Sequence, residues 1–415
     1  MIGLARSGLA SVGLTFLALA CGMRASTATA QDIPDTSVEA IRAYADGAEA
    51  HLDNPRSEEA LAHFRRAHDL DPSFFTPVYM QYVIANNMSN DMLADSLEAV
   101  LQHNRDRLSG YYQGMLDAFV LRRKDLFAAS EAVARGVVER YPGTRAAYNY
   151  ALFVWQRDPE AALRALEQLD PDREPMRGWY AYWTVRASVL HTLGDLQGAL
   201  DNARQAQQRH PDRIAPVGWE ALLYGALGDV ELAEAALARA SAMPGAVLGV
   251  GYRDTGQELM AHGYESEGRA MLERALAWFD NEDTRTSRTA AAQRAYTLYL
   301  LGRNAEACDA YRELADAVPT SIGYAGGMAV NSALAGDRAT AEATLERVKA
   351  GEIGSDWQDR AGWETLIQAA LGDVAAAKRA LTRYGLRALW LHRDPTLLRV
   401  LGNDSEYRRV IAAGR

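Results

Sequence analysis

The stretch LHTLGDLQGAL, residues 190–200, sets a Gly-Asp step between two apolar runs, and the chain says it again. Echoes stand at YGALGDVELAEAAL (224–237), LYLLGRNAEACDAY (298–311), NSALAGDRATAEATL (331–345) and IQAALGDVAAAKRAL (367–381). With HGYESEGRAML the turn glycines are Gly194, Gly228, Gly263, Gly302, Gly336 and Gly372, spaced by 34, 35, 39, 34 and 36 residues. A glycine where one apolar-periodic run stops and another starts reads as helix, turn, helix. Self-similarity at such a period is the mark of a solenoid built from helix pairs.

Each unit carries the pattern that two packed helices require. After Gly194 come Ala199, Ala203, Ala206 and Pro211; after Gly302 come Ala307, Tyr311, Leu314 and Pro319 at the same offsets. Residues three or four apart share a helical face, so each second helix offers one stripe to its partner. The smallest member, Ala199 or Ala307, falls where the helices cross closest, as do Ala233, Ala341 and Ala377 in their own units. The proline follows the second helix because it cannot continue one.

On these residues the chain resembles the tetratricopeptide-repeat family over about 40–385. The first unit shows Ala60, Phe64, Ala67 and Pro72; the fifth shows Trp183, Ala187, Leu190, Ala199, Ala203, Ala206 and Pro211. One departure is Gly268, which stands where the family has Ala. Between these units the pattern is less regular, with Pro77 near a helix start, Asn86-Asn87 near a helix end and a shortened unit turning at Arg157-Asp158-Pro159. RLSGYY, RYP, LDPDR and the closing HRDPTLLRVLGNDSEYRRVI also resemble repeat regions that follow signalling or DNA-binding modules in bacterial regulators, and no such module precedes them here.

The resemblance implies an all-α fold, an α-α superhelix of roughly ten helix pairs over 31–385, with 386–415 as a polar-faced segment capping the last pair. Solenoids need such caps because an end repeat has no neighbour. It also implies that the first helix of each pair lines a concave groove. Counting back from each turn places Tyr111, Thr184, Ser188, His191, Leu222, Arg253, Gln257, Met260, Tyr296 and Tyr299 in that groove, among small residues such as Gly218, Gly225, Ala292, Gly326 and Ala333. Small residues would let a ligand backbone approach, and the aromatics would supply contact area. Tyr296 and Tyr299 could equally be packing. Trp179 and Tyr180 could seal the shortened unit or face a partner.

Residues 1–30 read as an export signal. Arg6 precedes an apolar run over 9–23, and Ala28-x-Ala30 offers a cleavage site before Gln31. The run is too short for a membrane span. A lipoprotein anchored through Cys21 is the alternative, on a poor match at LALAC. Removing Arg6 and Arg24 from 44 basic residues leaves 42 against 54 acidic ones, a net charge of −12. An acidic chain is a poor partner for nucleic acid, whose phosphates need a basic stripe. Cys308 would be the one remaining cysteine, so no internal disulfide is expected, and its small neighbours suggest a buried, inert thiol.

Catalytic signatures are missing: there is no Gly-x-Ser-x-Gly, His-Glu-x-x-His or Gly-x-x-x-x-Gly-Lys-Ser/Thr. His63 and His68 lie on different helix faces, and Glu59 with His63 reads as a solvated pair. GVGYRDTG (249–256) does not match a dinucleotide loop, and DNEDTRTS (280–287) lacks the glycine and final Glu of a calcium loop. The latter reads as the long connection, with Thr284 or Ser287 to cap the next helix. The expectation is therefore neither an enzyme nor a cofactor protein. It is a periplasmic or secreted scaffold that binds a peptide or helix of another envelope protein in its groove; the alternative is a structural subunit of a permanent envelope assembly with the groove unused.

Overall fold

The computed structural model describes residues 36–52, 57–88, 90–124, 126–173, 175–244, 247–281, 288–353, 357–384, 393–404 and 407. The signal-like segment, Cys21, Thr284 and Ser287 lie outside them. All regular structure among the described residues is helical, and the helices follow one another in pairs.

The described residues gather into two compact units. The first unit holds the pairs α1 (Val38–Leu52) and α2 (Ser57–Leu70), α3 (Thr76–Asn87) and α4 (Asp91–His103), α5 (Gly110–Arg123) and α6 (Phe127–Arg140), then α7 (Ala146–Val154) up to Phe153, together with the excursion 164–182. Helix α8 (Pro159–Leu166) divides its residues between the two units. The second unit runs from Trp183. Its pairs are α9 (Ala181–Leu193) and α10 (Leu196–Arg209), α11 (Ile214–Leu227) and α12 (Val230–Ser241), α13 (Leu248–Ala261) and α14 (Glu265–Phe279), α15 (Arg288–Leu300) and α16 (Asn304–Ala317), α17 (Ile322–Ala335) and α18 (Arg338–Lys349), α19 (Trp357–Ala370) and α20 (Val374–Tyr384). A last short helix, α21 (Pro395–Leu401), follows.

The recurring Gly-Asp step has a plain physical role. All six turn glycines adopt positive φ, between 76° and 98°. That left-handed residue lets a helix end by returning the next amide to a carbonyl of its last turn. Asp195 N donates to Leu190 O at 3.0 Å, Asp229 N to Tyr224 O at 2.9 Å, Asp337 N to Ser332 O at 2.8 Å and Asp373 N to Gln368 O at 3.0 Å. The same aspartates then cap the following helix: their Oδ1 atoms accept from Gly198 N, Leu232 N, Thr340 N and Ala376 N at 2.8–3.2 Å. Two residues thus satisfy one helix end and one helix start.

Within pairs, the repeat-core residues are buried. Ala60, Phe64, Ala67, Ala199, Ala233, Ala307, Ala341 and Ala377 are fully covered, and Trp183, Ala203 and Tyr311 nearly so. Gly268 has a physical reason to replace alanine: a Cβ there would lie 2.6 Å from Gly256 O, so α13 and α14 meet backbone to backbone. The glycines of GVGYRDTG serve the same packing. A Cβ on Gly249 would strike Trp278, and one on Gly251 would strike Leu237. Cys308 is buried, 3.2 Å from Ser332 Oγ.

In the second unit the odd-numbered helices pack side by side, α11 on α13 and α17 on α19, and form one layer. The even-numbered helices back them. Helix α21 packs on α19, and Lys378 of α20 meets Asp404 at 2.6 Å, so residues 393–404 cover part of the last pair. It also reaches much further back along the inner layer.

Candidate functional site

The inner layer of the second unit carries an open-sided pocket of about 420 Å³. Helical spacing builds its walls: Arg253 comes from α13, Ala292, Tyr296 and Tyr299 from one face of α15, Tyr324 and Gly327 from α17, and Trp363 from α19. Positions three, four and seven apart lie on the same side of a helix, so each first helix contributes one stripe. Arg393 and Asp394, just before α21, close one side.

These groups are held in a defined polar array. Arg253 lies 5.4 Å from the centre of the Tyr296 ring and donates to Asp254 Oδ1 at 2.6 Å. Tyr296 and Tyr299 stack with ring centres 5.9 Å apart. Gln257 Nε2 donates to Tyr296 Oη at 3.0 Å and to the Arg393 carbonyl at 3.3 Å. Tyr299 Oη sits 2.9 and 2.8 Å from the two Asp394 carboxylate oxygens and 2.8 Å from Thr396 Oγ1. Asp394 also accepts from the amides of Thr396 and Leu397, which makes it the N-cap of α21.

Behind this array lies a second charged cluster. Glu258, 1% exposed, receives Arg393 Nη1 at 2.7 Å, with His191 Nε2 at 3.4 Å and His262 Nε2 at 3.5 Å. Burial alone would raise the Glu258 carboxyl, but His191, His262 and Arg393 outweigh it and hold it well below the usual carboxylate range. Among the described residues no cation pairs with Asp394, and Arg399 pulls on it only weakly. Burial pushes its carboxyl up to about 6, against the opposing pull of the Leu397 amide, Tyr299 and the Thr396 amide. Burial likewise raises Tyr296 to about 12, with Asp394 adding to the shift, and Tyr299 goes well above the ordinary phenol value.

Of the ten groove residues read from sequence, the structure brings Arg253, Gln257, Tyr296 and Tyr299 together, and His191 joins them through Glu258. Tyr299 is not open surface: it is buried against Asp394. The others lie elsewhere. Leu222 is buried in the apolar cluster around Leu223 and Leu259. Met260 abuts Gly268 at the close crossing, and Ser188 donates to the Thr184 carbonyl of its own helix at 3.1 Å. Tyr111 belongs to the first unit.

The small residues also need correcting. A Cβ on Gly326 would strike the Trp363 ring, and one on Gly225 would lie 3.0 Å from Thr255 O. The chain's own groups fill both spaces. Gly218 alone of the three glycines is open, and Ala292 lines the cavity.

Sequence reasoning missed Asp254, Glu258, Tyr324, Trp363, Arg393 and Asp394. A signal existed for Trp363, because adjacent glycines inside a helix, Gly326-Gly327, mark a close approach by something large. Trp179 is buried, 4.1 Å beneath the Arg145 guanidinium, and so packs within the first unit.

No family model matches the chain, and no curated protein does. Similar solved structures include a tetratricopeptide repeat protein from Parabacteroides merdae ATCC 43184, at 14% identity and TM-score 0.37 over 62% of this chain and 98% of that one. Another is a Rap protein complexed with competence and sporulation factor, at 12% identity and TM-score 0.47 over 91% and 100%. A third is the P58(IPK) TPR domain, at 15% identity and TM-score 0.22 over 84% and 99%. The chain's own geometry carries the fold: helix pairs closed by left-handed glycines, recurring every 34 to 39 residues, give its described residues an all-α fold of tetratricopeptide-like helix pairs.

Proposed function

We propose that the chain is an interaction scaffold, and that the inner layer of its second unit takes an extended peptide segment of another protein. The observation that supports this reading is the chain's own segment at 393–396. It lies on that layer as a peptide ligand would, its carbonyl bonded by Gln257, its arginine by Glu258 and its carboxylate by Tyr299. Beside it the 420 Å³ cavity leaves Tyr324 and Trp363 partly exposed, and large aromatics in a pocket are the usual anchors of such contacts. The leader-like residues 1–30 suggest a partner in the envelope or outside the cell. Among the described residues no helix is long and apolar enough to cross a membrane.

Capture of partners by the immobilised full chain, identified by mass spectrometry, tests the reading. The variant Tyr324→Ala with Trp363→Ala should lose the recovered partner by about 2 kcal/mol or more of binding, with unchanged helical content by circular dichroism. Undiminished capture by that variant contradicts it. A stoichiometric partner that survives both the variant and high salt would point to the permanent-subunit reading.

A further inference from the structure

Among its described residues, the first unit holds a buried cation that no carboxylate pairs with. Arg145, immediately before α7, is 6% exposed. Its Nη2 donates to the Pro175 carbonyl at 3.1 Å, and its guanidinium stacks on Trp179. Nε has no hydrogen-bond partner, and among the described residues no carboxylate pairs with it. Arginine keeps its charge at any accessible pH, so an unpaired buried guanidinium is a standing electrostatic cost.

That cation lines a partly open space of about 80 Å³ between residues of α3, α5 and α7. The surrounding groups are neutral. Burial, foremost, keeps the Tyr79 and Tyr148 phenols protonated. Burial, then the charge of Arg145, pushes His51 down to about 4, so it carries no charge at pH 7. Among the described residues no acidic side chain lines the space. A single positive charge therefore lines a small aromatic-walled chamber, and its buried Nε donor is unused.

We propose that Arg145 and this chamber bind a small monocarboxylate. The charge balance selects one negative charge rather than two, because Arg145 is the one cation among the described lining residues. The planar guanidinium fork matches a planar carboxylate, and charge-assisted hydrogen bonds strengthen in a site shielded from water. The walls formed by Tyr79, Tyr112, Tyr148 and Trp179 suit a short apolar or aromatic tail. The volume holds several waters or one small organic acid, and leaves no room for a folded peptide. The site is separate from the cavity of the second unit and does not depend on the function proposed for it.

Isothermal titration of the full chain with sodium propionate and sodium benzoate, at constant ionic strength set by chloride, tests the assignment. Saturable binding of the acids is expected, with propionamide and benzamide, their neutral counterparts, at least tenfold weaker. Arg145→Met should weaken the acids tenfold or more, and Arg145→Lys should keep part of the binding. Failure of both acids to bind, amides binding as well as acids, inorganic phosphate binding in their place, or an Arg145→Met variant with undiminished affinity would each overturn it. Should Arg145→Met fail to fold, the comparison of acids with amides on the unaltered chain decides.

Discussion

Asp394 is the residue on which the second unit's inner face turns. It caps α21 and accepts from Tyr299 across 95 positions of chain, yet its carboxyl sits at about 6 rather than near 3.8. The folded state therefore holds the proton more tightly than the unfolded one. Stability from this group is greatest below about pH 4, falls between about 4 and 6, and is level above, a total of roughly 3 kcal/mol. Glu258 is shifted the other way, so its contribution is full above the ordinary carboxylate value and is lost as pH falls from there toward its depressed folded value. His51, lowered to about 4, costs the first unit stability as pH falls from 6.5, so the test compares variants rather than raw curves. Urea midpoints of the chain and of Asp394→Asn should diverge with pH between 4 and 6 and run parallel above; parallel curves throughout would contradict the buried, high carboxyl. Tyr299→Phe removes a donor from a buried carboxylate and should cost about 1–3 kcal/mol.

At the scale of the element, the repeat was legible because its punctuation is residue-specific. Only glycine takes the left-handed turn cheaply, and aspartate directly after it can cap the next helix, so the Gly-Asp step reveals a helix end and start together. The alanine stripe was legible for the same reason, as size at a crossing is a sequence property. Two glycine substitutions separate these roles. Gly336 has open space where a Cβ would go, so Gly336→Ala should cost only the backbone conformation, about 1–2 kcal/mol. Gly256 has an ordinary helical backbone, but a Cβ there would lie 2.8 Å from Gly268 O, so Gly256→Ala should cost about 1–3 kcal/mol through overpacking. Denaturation midpoints check both, and a neutral Gly256→Ala would mean that α13 and α14 are not in backbone contact.

For the molecule as a whole, what escaped the sequence is what depends on long-range return of the chain. Tyr299 was read as a groove residue, and nothing local shows that Asp394 comes back to cover it. Arg145 in RYPGTRAAY looks like a surface arginine, and only the folded excursion through Pro175 and Trp179 buries it. Gly225 and Gly326 looked like open floor, and the spaces beside them are occupied by neighbours from later repeats. Small residues in a solenoid are ambiguous in this way, since they admit either a ligand or the chain's own side chains. On the function proposed, the inner layer of the second unit is the working surface. Photo-crosslinking tests it most directly, with p-benzoylphenylalanine placed at Tyr324 inside the cavity, or at Leu232, which is 44% exposed on α12, in cells producing the full chain. A discrete crosslinked partner from Tyr324 and none from Leu232 is the predicted result; the same partner from Leu232 and none from Tyr324 would contradict the account.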